Sequence, residues 1–101
     1  VFDWKTKDTS VPGIEYVGLH TGPTSEDYMP EEKGFINGGM FPRVPDMVVQ
    51  GHVVAMNVED IAVSLKKVVD AGGEVVSPKM EIGGMGWYAY IKDTEGNIMC
   101  V

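Results

Sequence analysis

Residues 57–75 read NVEDIAVSLKKVVDAGGEV, and their spacing decides how the chain is built. Ile61, Ala62, Leu65, Val68 and Val69 recur at helical intervals, while Ser64, Lys66, Lys67 and Asp70 fall largely on the other side. The segment from Asp60 to Ala71 is therefore expected to form an amphipathic helix. Asn57, Glu59 and Asp60 bring capping oxygens and negative charge to its first turn, and Gly72-Gly73 admits the left-handed residue that ends it.

Outward from this helix the pattern changes to that of strands. Met47 to Val58 reads as a buried strand before it, and Glu74 to Ser77 as a short strand after it, stopped by Pro78, which has no N–H to give a ladder. Gly83-Gly84 opens a turn, Trp87 to Lys92 alternates and is rich in aromatics, Asp93-Thr94-Glu95-Gly96-Asn97 is turn chemistry, and Ile98 to Val101 begins a last strand. Residues 47–101 thus spell β-α-β-β-β. Upstream, Phe2 to Lys7, Ile14 to His20 and Phe35 to Phe41 give three strands and no helix. Between the last two, Thr21 to Gly34 is polar, carries Pro23, Ser25, Pro30, Glu31 and Glu32, and reads as a long mobile loop without structure of its own.

The expected architecture is α+β. One domain spans 1–101, divided into a partial module over 1–45 and a whole module over 46–101, with Pro42 and Pro45 bracketing the linker. The first module matches the last three strands of the second, an internal repeat of element order. Its absent strand and helix are expected to lie before Val1.

Composition narrows the partners. The 101 residues are 44% hydrophobic and 23% charged, with a net charge of −7, so the surface does not suit nucleic acid or an anionic membrane. A small organic molecule is the expected partner. A chain of this length buries only about 60–65% of the surface its unfolded form exposes, and a homodimer is expected on that ground. No apolar run reaches the roughly 18 residues that span a bilayer, and the single cysteine, Cys100, has no internal partner, so the cytoplasm is the expected compartment.

Three stretches carry a family resemblance: Val58-Glu59-Asp60-Ile61, Ala71-Gly72-Gly73-Glu74-Val75, and Gly86-Trp87-Tyr88-Ala89-Tyr90-Ile91-Lys92-Asp93-Thr94-Glu95-Gly96-Asn97. They resemble the second module of a glyoxalase-like domain of the vicinal-oxygen-chelate superfamily, which includes bleomycin-resistance proteins and extradiol dioxygenases. Phe2-Asp3-Trp4 and Asn37-Gly38-Gly39-Met40 resemble strands of its first module. The resemblance implies paired β-α-β-β-β modules curling around a cavity, and in the family's enzymes a divalent metal held by His and Glu. Counted along the resemblance, the histidine position falls at Val53 and the glutamate position at Cys100, with Asn37, Gly38 and Gly39 at the comparable place in the first module. These are not the donors such an ion needs, so no cofactor and no metal ligand are expected here, with a divalent metal as the minority alternative.

The remaining candidates have competing readings. Alternation puts His52 with Val54, Met56 and Val58 under the helix as a structural histidine, and sends Val53, Ala55 and Asn57 toward the cavity. Tyr88 and Tyr90 share a face and would lie near Cys100 if the 93–97 turn pairs Lys92 with Ile98; they read as ligand contacts or as half-buried sheet residues. His20 suits a general base or a ligand hydrogen-bond partner, or a solvated strand end. Cys100 has no basic neighbour in sequence and reads as an inert thiol at the edge of the same cavity. Glycine pairs at 38–39, 72–73 and 83–84 form no phosphate loop.

The expected function is a glyoxalase-related, metal-free protein that binds a small molecule through Asn57, Tyr88, Tyr90, Cys100 and His20. The alternatives are a metal-dependent lyase, isomerase or dioxygenase with donors outside this segment, and an interaction module. The helix stripe gives a direct test: Leu65→Ala should destabilise by about 2–4 kcal/mol, from a cavity left between helix and sheet. Lys66→Ala, on the solvated face, should change the urea midpoint little.

Overall fold

A computed structural model describes residues 2–10, 12–13, 15–84 and 86–101. The chain divides into two compact units, Val1–Val44 and Pro45–Val101. Together they are sheet-rich with one helix among the described residues.

In the first unit, β1 (Lys5–Asp8), β2 (Val17–His20) and β3 (Gly38–Met40) form an antiparallel sheet in the order β1-β2-β3. The expected strand starting at Phe2 begins only at Lys5, and the one ending at Phe41 shrinks to three residues. Ile14, at the start of the expected second strand, lies outside the described residues. β1 and β2 are closed by local bonds: Thr9 N–H and the Thr9 hydroxyl both donate to the Tyr16 carbonyl, and Tyr16 N–H donates to Ser10 Oγ. At β3 the backbone needs a residue without a side chain, because a Cβ on Gly39 would lie 2.1 Å from the Tyr16 ring. That ring in turn stacks on Phe41 at 6.3 Å.

The loop of residues 21–34 has structure of its own, contrary to the sequence expectation. Ser25 N–H donates to the Met29 carbonyl, Tyr28 N–H to the Ser25 carbonyl and Glu31 N–H to the Pro23 carbonyl, with an isolated bridge between Thr24 and Pro30. Short-range backbone pairing of this kind is invisible to hydrophobic periodicity, since it buries little apolar surface.

The second unit is built on a four-stranded mixed sheet in the order β4-β9-β8-β5, with a separate hairpin of β6 (Met80–Glu81) and β7 (Trp87–Tyr88). β8 (Tyr90–Lys92) runs antiparallel to both β5 (Glu74–Val75) and β9 (Ile98–Cys100), whereas β4 (Val54–Ala55) lies parallel to β9. The helix, α1, covers Ile61–Asp70; its N-cap Asp60 accepts from Val63 N–H at 3.0 Å, and Gly72 takes the left-handed φ of 92° that follows its end.

Two corrections concern faces. The more covered residues of α1 are Ile61, Ser64, Leu65 and Val68, while Ala62 is exposed and Val69 is 54% exposed. A ten-residue helix that touches chiefly the two-residue β5 presents only a narrow stripe to the sheet. Leu65 is itself half-buried, which places Leu65→Ala at the low end of the stated range. The expected buried strand from Met47 to Val58 is also reduced to an edge: Val54 is 65% exposed, and Met56, Val58 and His52 are exposed with it. His52 precedes β4 and does not pack beneath α1 as a structural histidine.

Register on β8 and β9 is set by the 93–97 turn. Asp93 Oδ1 accepts from Glu95 N–H at 2.9 Å and Asn97 N–H at 2.8 Å, while Oδ2 accepts from the Asn97 amide at 2.8 Å. The Asn97 side chain first, and then its backbone, hold the Asp93 carboxyl below the usual carboxylate range. A carboxyl lowered on folding stabilises the fold above its unfolded pKa, and that stabilisation is lost as pH falls through the folded value. The gap in urea midpoint between the wild type and Asp93→Asn should therefore narrow on acidification below the carboxylate range. A gap independent of pH would show that the charge on Asp93 does not hold the turn.

Candidate functional site

The candidate site on the second unit is made by register. Lys92 pairs with Ile98 and Tyr90 with Cys100, as expected of a hairpin closed by the 93–97 turn, and Ala55 of β4 pairs with Cys100 from the other side. Tyr90, Cys100 and Ala55 thus form a row across three strands on one face. Ala89 and Ile91, which alternate with the tyrosines, are 0% and 3% exposed and belong to the opposite, covered face.

Tyr88 and Tyr90 are both half-buried, with ring centroids 5.6 Å apart and planes at 77°. This edge-to-face packing fixes each ring and leaves its remaining surface available. Two devices hold Tyr90. Val76 N–H and Ser77 N–H both donate to the Tyr90 carbonyl, at 2.9 and 3.1 Å, so two residues oppose one as in a β-bulge. The buried Ser77 hydroxyl then accepts from Tyr90 N–H at 3.0 Å. Ser77 escaped the sequence reading because only its place before Pro78, where strands end, marks it.

Cys100 is half-buried, and its Sγ lies 3.9 Å from the Val101 carbonyl. Burial pushes the thiol upward, offset in part by a backbone hydrogen bond at Ala89, so the group is held as a neutral, poorly nucleophilic thiol. Asn57 stands apart from the row: the chain leaves β4 after Ala55, and Asn57 is exposed beyond the point where the strand fixes a side. His20 belongs to the first unit, at the end of β2, half-buried and 6.1 Å edge-on from the Tyr28 ring. Sequence periodicity also gave no weight to Trp87 and Lys79. The Lys79 ammonium sits 4.8 Å over the Trp87 ring beside an open depression of about 270 Å³ lined also by Val58, Glu59, Asp60 and Ile61.

Among the described residues no three His, Cys, Asp or Glu side chains gather closely enough to hold a metal ion. The divalent ion implied by the resemblance finds no fitting donors there, since the register neighbours of Cys100 are Tyr90 and Ala55, and the exposed His52 lies outside the row. No helix among these residues is long and apolar enough to cross a membrane.

No protein-family model matches the chain, and no curated protein matches it significantly.

Ser77→Ala should cost about 1–2 kcal/mol by leaving Tyr90 N–H without its acceptor. It should also weaken the near-ultraviolet circular dichroism of the tyrosines as the pair loosens. An unchanged spectrum with an unchanged urea midpoint would show that the hydroxyl does not position Tyr90.

Proposed function

We propose that the chain is a glyoxalase-related domain of the vicinal-oxygen-chelate type. In this reading its second unit binds a small organic molecule, without a metal, on the sheet face that carries Tyr88, Tyr90 and Cys100. The observation that supports it most is the row Tyr90–Cys100–Ala55. It combines a rigid aromatic pair, a soft neutral thiol and a methyl side chain on a face opposite the covered residues Ala89 and Ile91. Half-buried aromatic surface with polar tips suits a flat or partly apolar ligand bearing a hydrogen-bonding group. The thiol is not disposed to attack such a ligand, so the chemistry favours sequestration over covalent turnover.

A thermal-shift screen with small organic compounds tests this reading, because a ligand that binds only the folded state raises Tm by mass action. Compounds should raise the Tm of the wild type, the gain should vanish in Tyr90→Ala, and EDTA should not alter it. Dependence of the gain on added zinc, nickel or manganese would favour the metal-dependent enzyme instead. The absence of any shift across the screen would favour an interaction module.

A further inference from the structure

We infer that Asn37 is the chain's site of deamidation, and that this covalent change releases the loop of residues 21–34. The chain has three asparagines. Asn57 and Asn97 precede the β-branched Val58 and Ile98, whose side chains shield the following peptide nitrogen, whereas Asn37 precedes Gly38. Nothing lies within 4 Å of where a Cβ on Gly38 would be, so that position carries no side chain and none packs against it.

The side chain of Asn37 latches the loop. Its Oδ1 accepts from Thr21 N–H at 3.1 Å, and its Nδ2 donates to Thr24 Oγ1 at 3.0 Å and to the Tyr28 carbonyl at 3.1 Å. Reversing the amide would set its oxygen against the carbonyl of Tyr28, so the partners fix its orientation. The loop held this way is under tension. Tyr28 has a φ of 63°, which costs a residue with a side chain about 1 kcal/mol. Its ring rests under the Lys7 ammonium at 4.6 Å and edge-on to His20.

Deamidation removes the one feature that latch requires. The Gly38 nitrogen attacks Asn37 Cγ, a C–N bond closes a cyclic imide, and Nδ2 leaves as ammonia with the Gly38 amide proton. Water then opens the imide at either carbonyl, giving aspartate or isoaspartate. The new carboxylate still accepts from Thr21 but has no proton for Tyr28 or Thr24. Thr24 can turn its hydroxyl toward the carboxylate only by giving up its bond to the Gly22 carbonyl at 2.9 Å, and it does nothing for the Tyr28 carbonyl. A carboxylate oxygen facing the Tyr28 carbonyl is repelled, and the strained turn at Tyr28 is free to relax. The intact latch keeps the amide engaged, so the reaction proceeds through transient opening.

Peptide mass spectrometry of the full chain, incubated at mildly alkaline pH, tests the site. The mass gain of amide-to-acid conversion should appear at Asn37 ahead of Asn57 and Asn97. It should be faster in Thr24→Val and suppressed in Gly38→Val, which fits the open space at that position. Brief trypsin treatment tests the release: cleavage after Lys33 should accelerate in Asn37→Asp and in the aged wild type, with cleavage after Lys66 and Lys67 in the helix of the second unit unchanged. Modification beginning at Asn57 or Asn97 would overturn the site. Equal cleavage after Lys33 before and after modification, or an equal acceleration after Lys66 and Lys67, would overturn the latch.

Discussion

The second unit depends on one hydrogen-bonded turn. Asp93, by taking three donors from Glu95 and Asn97, fixes which residue of β9 faces which residue of β8. A slip of one residue would send Tyr90 and Cys100 to opposite faces and expose Ile91. It would also misplace the main-chain exchange between Ala89 and Val101, and leave β4 without its partners Met99 and Cys100. The candidate site is in this sense a by-product of register. None of its residues needs an unusual conformation, only a ladder that cannot shift.

Much of this was legible in the sequence because it rests on local chemistry. The helix bounds follow from Asp60 and Gly72, and the pairing of Lys92 with Ile98 follows from turn residues a few positions apart. Faces that depend on distant packing were not legible. Alternation alone put Val54, Met56 and Val58 under the helix, but an edge strand two residues long has no second neighbour to cover it. Val69 fits the apolar period of α1 and is nevertheless exposed, since the stripe contacting β5 is narrower than the stripe of apolar residues. Ser77 and Asn37 matter through hydrogen bonds to backbone groups 13 and 9 to 16 residues away. Neither hydropathy nor periodicity carries that information.

The units differ in what orders them. The second assembles around covered side chains, among them Ala89 and Ile91, and uses polar groups to set register. In the first, β1 is exposed throughout, and side-chain amides and hydroxyls supply much of the tertiary linkage, from Thr9 and Ser10 to Tyr16 and from Asn37 to the loop. Order that rests on hydrogen bonds in contact with water contributes little net free energy per bond. The first unit is accordingly the place where a single chemical change on one amide has a large local effect.

The parallel pairing of β4 with β9 has a kinetic meaning. Helix α1 and the β8–β9 hairpin join residues close in sequence and can form within microseconds, whereas Val54 must find Met99 across the whole of that intervening structure. β4 therefore closes the longest loop of this sheet, with two rungs on a single neighbour. The face bearing Cys100 has its far wall on that strand, so the row is completed by the pairing that is most distant in sequence.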